Sequence, residues 1–528
     1  MKIHALALTG ALAFLASPAP ACAQAPEHVV FVVRLGADTL AVENASISAA
    51  HADAVMRMKS PLGRVTQSID LSARGGFTLS RATFGRGARG DSAVQGLSIT
   101  VRGDSITAEQ SIDGKAVGTS RGVLPPDAVP FVNLSGTSLE LILRRARIIG
   151  GDTARVIALA AGAPPFTTNV VLRGADSATI VIGAAVLVAR TDARGHLLGA
   201  AVPSQGVVFE RLPADSPAAA WTPVAPSYAA PPGAPYSARS ITLRTPAGLT
   251  LAGTLTQSLD ASAASPAVVL ITGSGSQDRD EAFPSIGGLR PFRDIADTLS
   301  RRGIAVLRLD DRGVGGSDRG PATATSADFA DDIRAGVAWL RTQPGIDPAR
   351  IGLVGHSEGG IIAPMIAVTD PTLRAIALIA GPAKSGRQIS EFQRRDAFAR
   401  IPGLTQHQRD SLFIGSSRVV DSMIAAPGWW HFFGEHDPLV TARKVRVPTL
   451  ILQGETDRQV TPDQAKMLAD AMRAGGNARV EVVLFPRMNH LLVEDRSGDP
   501  EGYSALRAPV VRKDFLGTLA DWLSVALR

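Results

Sequence analysis

From Val29 to about Leu212 polar residues alternate with β-branched or aromatic ones, as in VVFVVRLG, VTQSIDLSARGGFTLS, LSITVRGDSIT, NVVLRGADSATIVIG and AAVLVART. A period of two puts every second side chain on one face, so this region predicts an antiparallel sheet of long hairpins, a partly closed barrel. Three segments share a turn signature: Leu35-Gly36-Ala37-Asp38-Thr39, Arg102-Gly103-Asp104-Ser105 and Arg173-Gly174-Ala175-Asp176-Ser177. Glycine reaches the positive backbone angle such turns require, and aspartate bonds the backbone just beyond it. The three are one solution to one local problem, too degenerate to make a repeat. One stretch in this region, SLELILRRARII at 138–149, has helical spacing instead.

The pattern changes twice further on. Residues 213–235, PADSPAAAWTPVAPSYAAPPGAP, have no periodicity and predict a semi-rigid linker that would keep two halves apart unless Trp221 and Tyr228 dock it. From 236 a hairpin, SITLRTPAGLTLAGTLTQ, leads into apolar runs separated by amphipathic segments: AVVLIT, a helix near 291–302, IAVLRL, a helix near 326–342, IGLVG, IALIAG, TLILQG, VEVVLF and a last helix, DFLGTLADWLSVAL. Phe329, Ile333, Val337 and Leu340 recur at helical spacing behind Thr325 and Asp328, which predict a capping box. Continuous apolar strands alternating with such helices mean a mainly parallel sheet covered on both faces. The rhythm breaks between 382 and 445, a polar, helical insertion ending in PGWWHFFGEHDPL. An insertion after a strand of a parallel sheet emerges at the carboxyl edge, where open α/β sheets bind ligands. Trp429, Trp430, Phe432 and Phe433 are therefore candidates for a pocket wall, against the plainer reading that they anchor the insertion. The expected division is 1–25 a signal peptide, 26–212 a mainly β domain, 213–235 the linker, and 236–528 an α/β domain with insertion 382–445.

The candidate chemistry begins at Gly355-His356-Ser357-Glu358-Gly359, a G-x-S-x-G elbow between a buried strand and the small-residue helix GGIIAPMIAV. A serine hydroxyl becomes a nucleophile only when an imidazole takes its proton and a carboxylate orients that imidazole. Asp457 follows TLILQG and His490 follows VEVVLF, so an acid and then a base come after the serine on loops at successive strand ends. Glu455 is a rival acid, but the loop must first turn away from the strand, which favours Asp457. His436 with Asp437 imitates a base and acid pair from the insertion. His356, inside the elbow, is expected to pack or hydrogen-bond beneath the turn. The oxyanion of acyl transfer needs backbone donors, expected at Glu358 and at Ser274 of the loop TGSGSQDRDE, where Gly273 allows close approach. In LRLDDRGVGGS, Asp310, Asp311 and Arg312 are expected to pair and lock their turn, with capture of a substrate carboxylate by Arg312 as the alternative.

These pieces resemble the α/β-hydrolase superfamily, and within it the bacterial serine esterase and acyl-peptidase-like branch: TGSGSQDRDE, FRDIADTLSRRGIAVLRLDDRGVGGS, GLVGHSEGG, LQGETDRQVTP and NHLL in order over residues 237–528. The resemblance implies an α/β-hydrolase fold, a Ser357, Asp457 and His490 triad, and a cap built from the insertion. The chain departs from the family's usual His-Gly oxyanion signature by carrying Thr272-Gly273. Nothing carries over to the β-rich region.

Composition narrows the partners. The first 25 residues join a basic start at Lys2, a short apolar run and small residues before Ala23 or Ala25, an export signal, so the expected location is periplasmic or secreted. Cys22 is the single cysteine and lies inside that signal, leaving a mature chain without disulfide or thiolate chemistry. No apolar run reaches membrane-spanning length. Lys and Arg number 54 against 48 Asp and Glu, mixed along the chain and without the basic clusters of a nucleic-acid surface. The histidines show no metal-ligand spacing, and no metal or cofactor is implied. The reading is hydrolysis of a small acyl ester through an acyl-enzyme, with two rivals, a peptidase of short peptides and a noncatalytic envelope scaffold. Exposed edges of the β region could pair with a second copy of the chain.

Overall fold

Apolar and polar positions keep alternating from Glu27 to Pro213, and every strand in that span joins one 15-stranded sheet. The computed structural model describes residues 25–528 except 37, 60–61, 87–91, 126, 161–164, 183–184, 193, 204–205, 225, 261–262, 285, 402–404 and 507–508. The export signal therefore lies, save for Ala25, outside the described residues. Eight strands run as a meander from Glu27–Leu35 to Lys115–Val123, and six return from Thr153–Ala160 to Val207–Pro213, which pairs antiparallel with Glu27–Leu35. Short strand Val129–Phe131 makes a parallel edge beside Thr153–Ala160. Gly36, Gly103 and Gly174 of the shared turn signature all have positive φ, at 56°, 65° and 69°.

The sheet curls around the helix Gly136–Ile149, whose Leu139, Leu141, Ile142 and Leu143 are buried with Phe31, Val33 and Ile69 in one core. A seam forms where Phe77 N–H donates to the Ala128 carbonyl at 3.1 Å. Beyond it the last three strands of the first meander run on as a flap, and Lys115–Val123 is exposed along its whole length. The helix starts at Ser135, whose hydroxyl accepts from Ser138 N–H at 3.0 Å and donates to Glu43 at 2.7 Å. Glu43 also accepts from Thr137 N–H at 2.9 Å, so a buried carboxylate answers the partial positive charge of a helix N-terminus. Burial pushes this carboxyl up, and the hydrogen bonds from Ser135 and Thr137 pull it back. Phe31 is fully buried against Gly136, where a Cβ would run into its ring. Phe31→Ala is expected to cost about 3–5 kcal/mol, read as a lower urea midpoint of the full chain. An unchanged midpoint would show that the ring does not support the curl.

The linker is docked at both ends. Trp221 packs with Ala218 and Ala219 on the outer face of the sheet against Val30, Val32 and Val42, and Asn44 donates to the Ala219 carbonyl at 3.0 Å. Tyr228 lies beside the Arg279 and Arg290 guanidinium groups, 4.3 and 5.5 Å from its ring centre, and donates to Asp278 at 3.1 Å. Of the two arrangements expected for this segment, these contacts are those of packing through Trp221 and Tyr228.

The second sheet has eight strands in the spatial order Tyr236–Arg244, Thr250–Ser258, Ala305–Leu309, Ser265–Ile271, Ile346–His356, Ala375–Ile379, Thr449–Gly454 and Val480–Phe485. The first two pairings, of Tyr236–Arg244 with Thr250–Ser258 and of Thr250–Ser258 with Ala305–Leu309, make an antiparallel edge; the rest are parallel. Successive residues feed opposite cores: Val269 and Leu353 face one layer of helices, Val268 and Val354 the other. Asp328 accepts from Thr325 N–H at 2.8 Å, closing the capping box that starts the helix Ser326–Leu340. The insertion forms the helices Gly386–Arg400, Gln406–Ala425, Trp429–Glu435 and Pro438–Ala442 before strand Thr449–Gly454. The architecture is thus a mainly antiparallel β domain followed by an α/β-hydrolase core with a helical insertion. Among the described residues no helix is long and apolar enough to cross a membrane.

Candidate active site

Strand Ile346–His356 and helix Gly359–Thr369 turn on Ser357, which has φ 52°, a left-handed conformation that costs a serine energy and is kept only where its surroundings demand it. Those surroundings are tight. A Cβ on Gly355 would strike the Gly359 carbonyl, and one on Gly359 would strike that of Ile271. The turn is tied down by the Ser357 N–H, which donates to Ile379 O at 2.9 Å, and by Gly360 N–H, which donates to Ser357 O at 2.8 Å.

Asp457 and His490 leave neighbouring strands and meet: His490 Nδ1 lies 2.8 Å from Asp457 Oδ2. Asp457 is 2 % exposed and His490 5 %. The other oxygen of Asp457 accepts from the N–H groups of Gln459 and Val460 at 2.8 and 3.0 Å, and Gln453 donates to Oδ2 at 3.0 Å. Glu455, the rival acid, is exposed on the first residue of the loop. Ser357 and His490 line one cavity of ≈ 240 Å³, with Gly273, Ser274, Glu281, Trp429, Trp430 and Phe433 among its walls. His436 and Asp437 do not pair: the ring stacks on Phe432 at 5.2 Å, and the carboxylate caps Leu439 N–H at 2.9 Å. Burial holds the His436 imidazole below its ordinary range, against the pull of Asp437.

The loop after Ser265–Ile271 passes beside the serine, and a Cβ on Gly273 would come within 3.1 Å of Ser357 Cβ. Gly273 N–H is already spent, donating to Glu281 Oε1 at 2.8 Å. Asp311 holds the loop from behind, accepting from Thr272 Oγ1 at 2.8 Å and Gln277 N–H at 2.9 Å. Burial pushes the Asp311 carboxyl well above the usual carboxylate range, with those hydrogen bonds opposing it. The expected mutual pairing of Asp310, Asp311 and Arg312 is corrected. Each finds a partner elsewhere because the turn points them apart: Asp310 binds Arg279 at 2.6 Å, and Arg312 binds Asp332 at 2.6 and 2.9 Å. One guanidinium edge of Arg312, Nε and Nη2, is thus taken up by Asp332, and Nη2 also donates to the Asp328 carbonyl at 3.1 Å.

Glu358, the residue after the serine, turns its side chain into the protein and ties the insertion to the elbow. Its carboxylate accepts from Trp429 Nε1 at 2.7 Å and from Ser326 Oγ at 2.6 Å. Burial pushes this carboxyl up, against those two bonds and one from Ser274. Trp429 stacks on Phe433 at 4.7 Å, and Phe433 is buried with Ile361 and Ile389. Trp429 and Phe433 therefore both line the cavity and anchor the insertion, Trp430 lines it edge-on to Trp429, and Phe432 turns to His436 instead. A second cavity of ≈ 540 Å³ shares Gly273, Ser274 and Trp429 with the first and adds Asp311, Arg312, Glu358, Phe329 and Ile362 to its walls.

Sequence reasoning placed no role on Glu281, Gln453 or Asn489. Glu281 is one acid among three in DRDE's neighbourhood, with nothing local to single it out; Asn489 steadies the loop that carries His490 by donating to Asp495 at 3.2 Å and accepting from Leu491 N–H at 2.9 Å. Among the described residues no group of three or more His, Cys, Asp or Glu is placed to hold a metal ion.

Residues 268–505 match the model of the alpha/beta hydrolase family. The chain is 27 % identical over 265 residues to Esterase EstD of Thermotoga maritima, an overlap covering 49 % of this chain and 62 % of that protein. It is 27 % identical over 209 residues to the uncharacterized peptidase YuxL of Bacillus subtilis, covering 38 % of this chain and 28 % of the other. Among solved structures, the Pyrococcus furiosus esterase Pf2001 aligns with TM-score 0.41 and 16 % identity, covering 58 % of this chain and 97 % of that one. The elbow, the strand order and the family match together make residues 268–505 an α/β-hydrolase superfamily domain, related to bacterial esterases and hydrolases.

Proposed function

We propose that this chain is a serine esterase of the bacterial esterase and acyl-peptidase-like branch, with Ser357 as nucleophile, His490 as base and Asp457 as the group that orients it. The observation that carries the reading is the 2.8 Å contact between His490 Nδ1 and Asp457 Oδ2, made in the same cavity as a serine on a strained elbow. With Nδ1–H donating a hydrogen bond to the Asp457 carboxylate, the imidazole has Nε2 free to accept the proton of the Ser357 hydroxyl. The serine oxygen then attacks the acyl carbonyl, and the oxyanion is met by the amides of Glu358 and Ser274. His490 returns the proton to the departing alkoxide, and water, activated by the same imidazole, releases the acid. The two cavities that meet at Ser274 and Trp429 suit a substrate in two parts, acyl on one side of the carbonyl and alcohol on the other.

Esters are preferred over amides because an alkoxide leaves with less protonation than an amine, and because the relative EstD is an esterase by name. The uncharacterized peptidase YuxL supports a peptidase as the second reading. A fluorophosphonate probe is expected to modify Ser357, located by peptide mass spectrometry, and an aryl acyl ester to be turned over faster than an aminoacyl amide. Faster amide turnover would move the assignment to a peptidase. No adduct and no turnover would leave a noncatalytic scaffold.

A further inference from the structure

Three loops bring the proposed chemistry together, and one pair of side chains outside the triad touches all of them. Glu281 has φ 52° and is fully buried, held in place by its own N–H donating to the Asp278 carbonyl at 2.8 Å. Its Oε1 accepts from Gly273 N–H at 2.8 Å and lies 2.8 Å from His356 Nδ1. His356, 2 % exposed in the nucleophile elbow, places Nε2 3.0 Å from the backbone carbonyl of His490. The two imidazoles are 4.9 Å apart, centre to centre.

We propose that Glu281 and His356 are a positioning ion pair, with His356 protonated on both ring nitrogens, that sets the oxyanion loop and the His490 loop. This rests on the esterase reading for its kinetic part only. The charge follows from the partners. A carbonyl can only accept, so Nε2 carries a proton; Nδ1 faces a carboxylate oxygen that already accepts from Gly273, which calls for a proton there as well. Glu281 Oε2 is buried without a hydrogen-bond partner, leaving His356 as the cation that answers its charge. Burial alone would push the His356 imidazole down, but the Glu281 charge and hydrogen bond, the His490 carbonyl and the more distant Asp457 hold it above the ordinary histidine range. The groups facing His356 are thus Glu281 from the oxyanion loop, the His490 ring and carbonyl from the base loop, and Asp457 behind that ring.

The consequence for catalysis is positional: His356 Nε2–H, donating to the His490 carbonyl, holds the loop that carries the proposed base. Glu281 meanwhile occupies the Gly273 amide and so orients the peptide that follows it toward the oxyanion.

The first test needs no turnover. Histidine ring NMR of the full chain, with His356→Gln and His490→Gln for assignment, should show His356 protonated on both nitrogens at pH 7 and neutral at that pH in Glu281→Gln. A neutral His356 tautomer in the wild type would overturn the pair. The second test is kinetic, on a short p-nitrophenyl acyl ester: His356→Gln and Glu281→Gln should lower kcat by on the order of tenfold with KM little changed, because both loops act on the transition state rather than on substrate binding. Unchanged kcat in both folded variants would overturn the positioning role. A wild type that hydrolyses no ester sinks the esterase reading, while the ring spectra still decide the pair.

Discussion

Ser357→Ala is expected to lower turnover of an aryl acyl ester by about 10⁴- to 10⁶-fold, His490→Ala by a similar factor, and the double variant by no more than either. The three effects coincide because hydroxyl and imidazole act as one unit: without the base the oxygen keeps its proton, and without the oxygen the base has nothing to activate. What remains comes from the oxyanion donors and from binding, which neither substitution removes. Alanine fits the elbow as serine does, and the ties from Ser357 N–H to Ile379 and from Gly360 N–H to Ser357 O are both backbone bonds. The melting temperature should therefore stay within a few degrees of wild type. Losses that multiply in the double variant would show two independent contributions and remove the proton-transfer mechanism.

The second large effect is expected from Asp457→Asn, a loss of about 10⁴-fold in kcat with the fold intact. One oxygen of this side chain accepts from two backbone N–H groups, at Gln459 and Val460, so a replacement amide must keep its oxygen there. Its NH₂ then points where Oδ2 now accepts from Gln453 and from His490 Nδ1. Facing a donor, Nδ1 must give up its proton, and the neutral ring carries that proton on Nε2 instead. An imidazole in that state has no lone pair for the serine proton. Gln453 cannot cheaply turn its amide to relieve the clash, because the same NH₂ donates to the Val460 carbonyl at 3.0 Å. A steady-state comparison of the two proteins at equal folded fraction checks the outcome, and a loss of less than tenfold would mean that Asp457 does not set the tautomer.

The parts of this architecture legible in the chain are those decided within a few residues. The strand around Leu353 and Val354 is apolar at consecutive positions because it is covered on both faces, and that needs no knowledge of the coverings. The Thr325 and Asp328 box and the glycines flanking Ser357 are likewise local: one is a hydrogen-bonded turn three residues long, the other a turn too tight for a Cβ. Asp457 and His490 were legible by order, since each ends a recognisable strand and adjacent parallel strands deliver their loops to the same edge.

Arg312 shows where this reasoning stops. Its sequence neighbours Asp310 and Asp311 look like partners, yet the turn sends the three side chains to Asp332, Arg279 and Thr272. Trp429 could be read as wall or anchor and is both, because the acceptor for its indole N–H, Glu358, lies far away along the chain and faces inward only once the elbow has formed.

The amino-acid sequence alone determined the order of strands and helices, the elbow, and which loops could carry a nucleophile, an acid and a base, since backbone conformation and burial period are short-range properties. Tertiary structure decided which charged groups pair, how the linker docks at Trp221 and Tyr228, how fifteen strands curl over one helix, and that Glu281 and His356 join the three loops. Contacts such as these form between residues distant along the chain, and nothing in either partner's immediate neighbours encodes the distance or direction at which they meet.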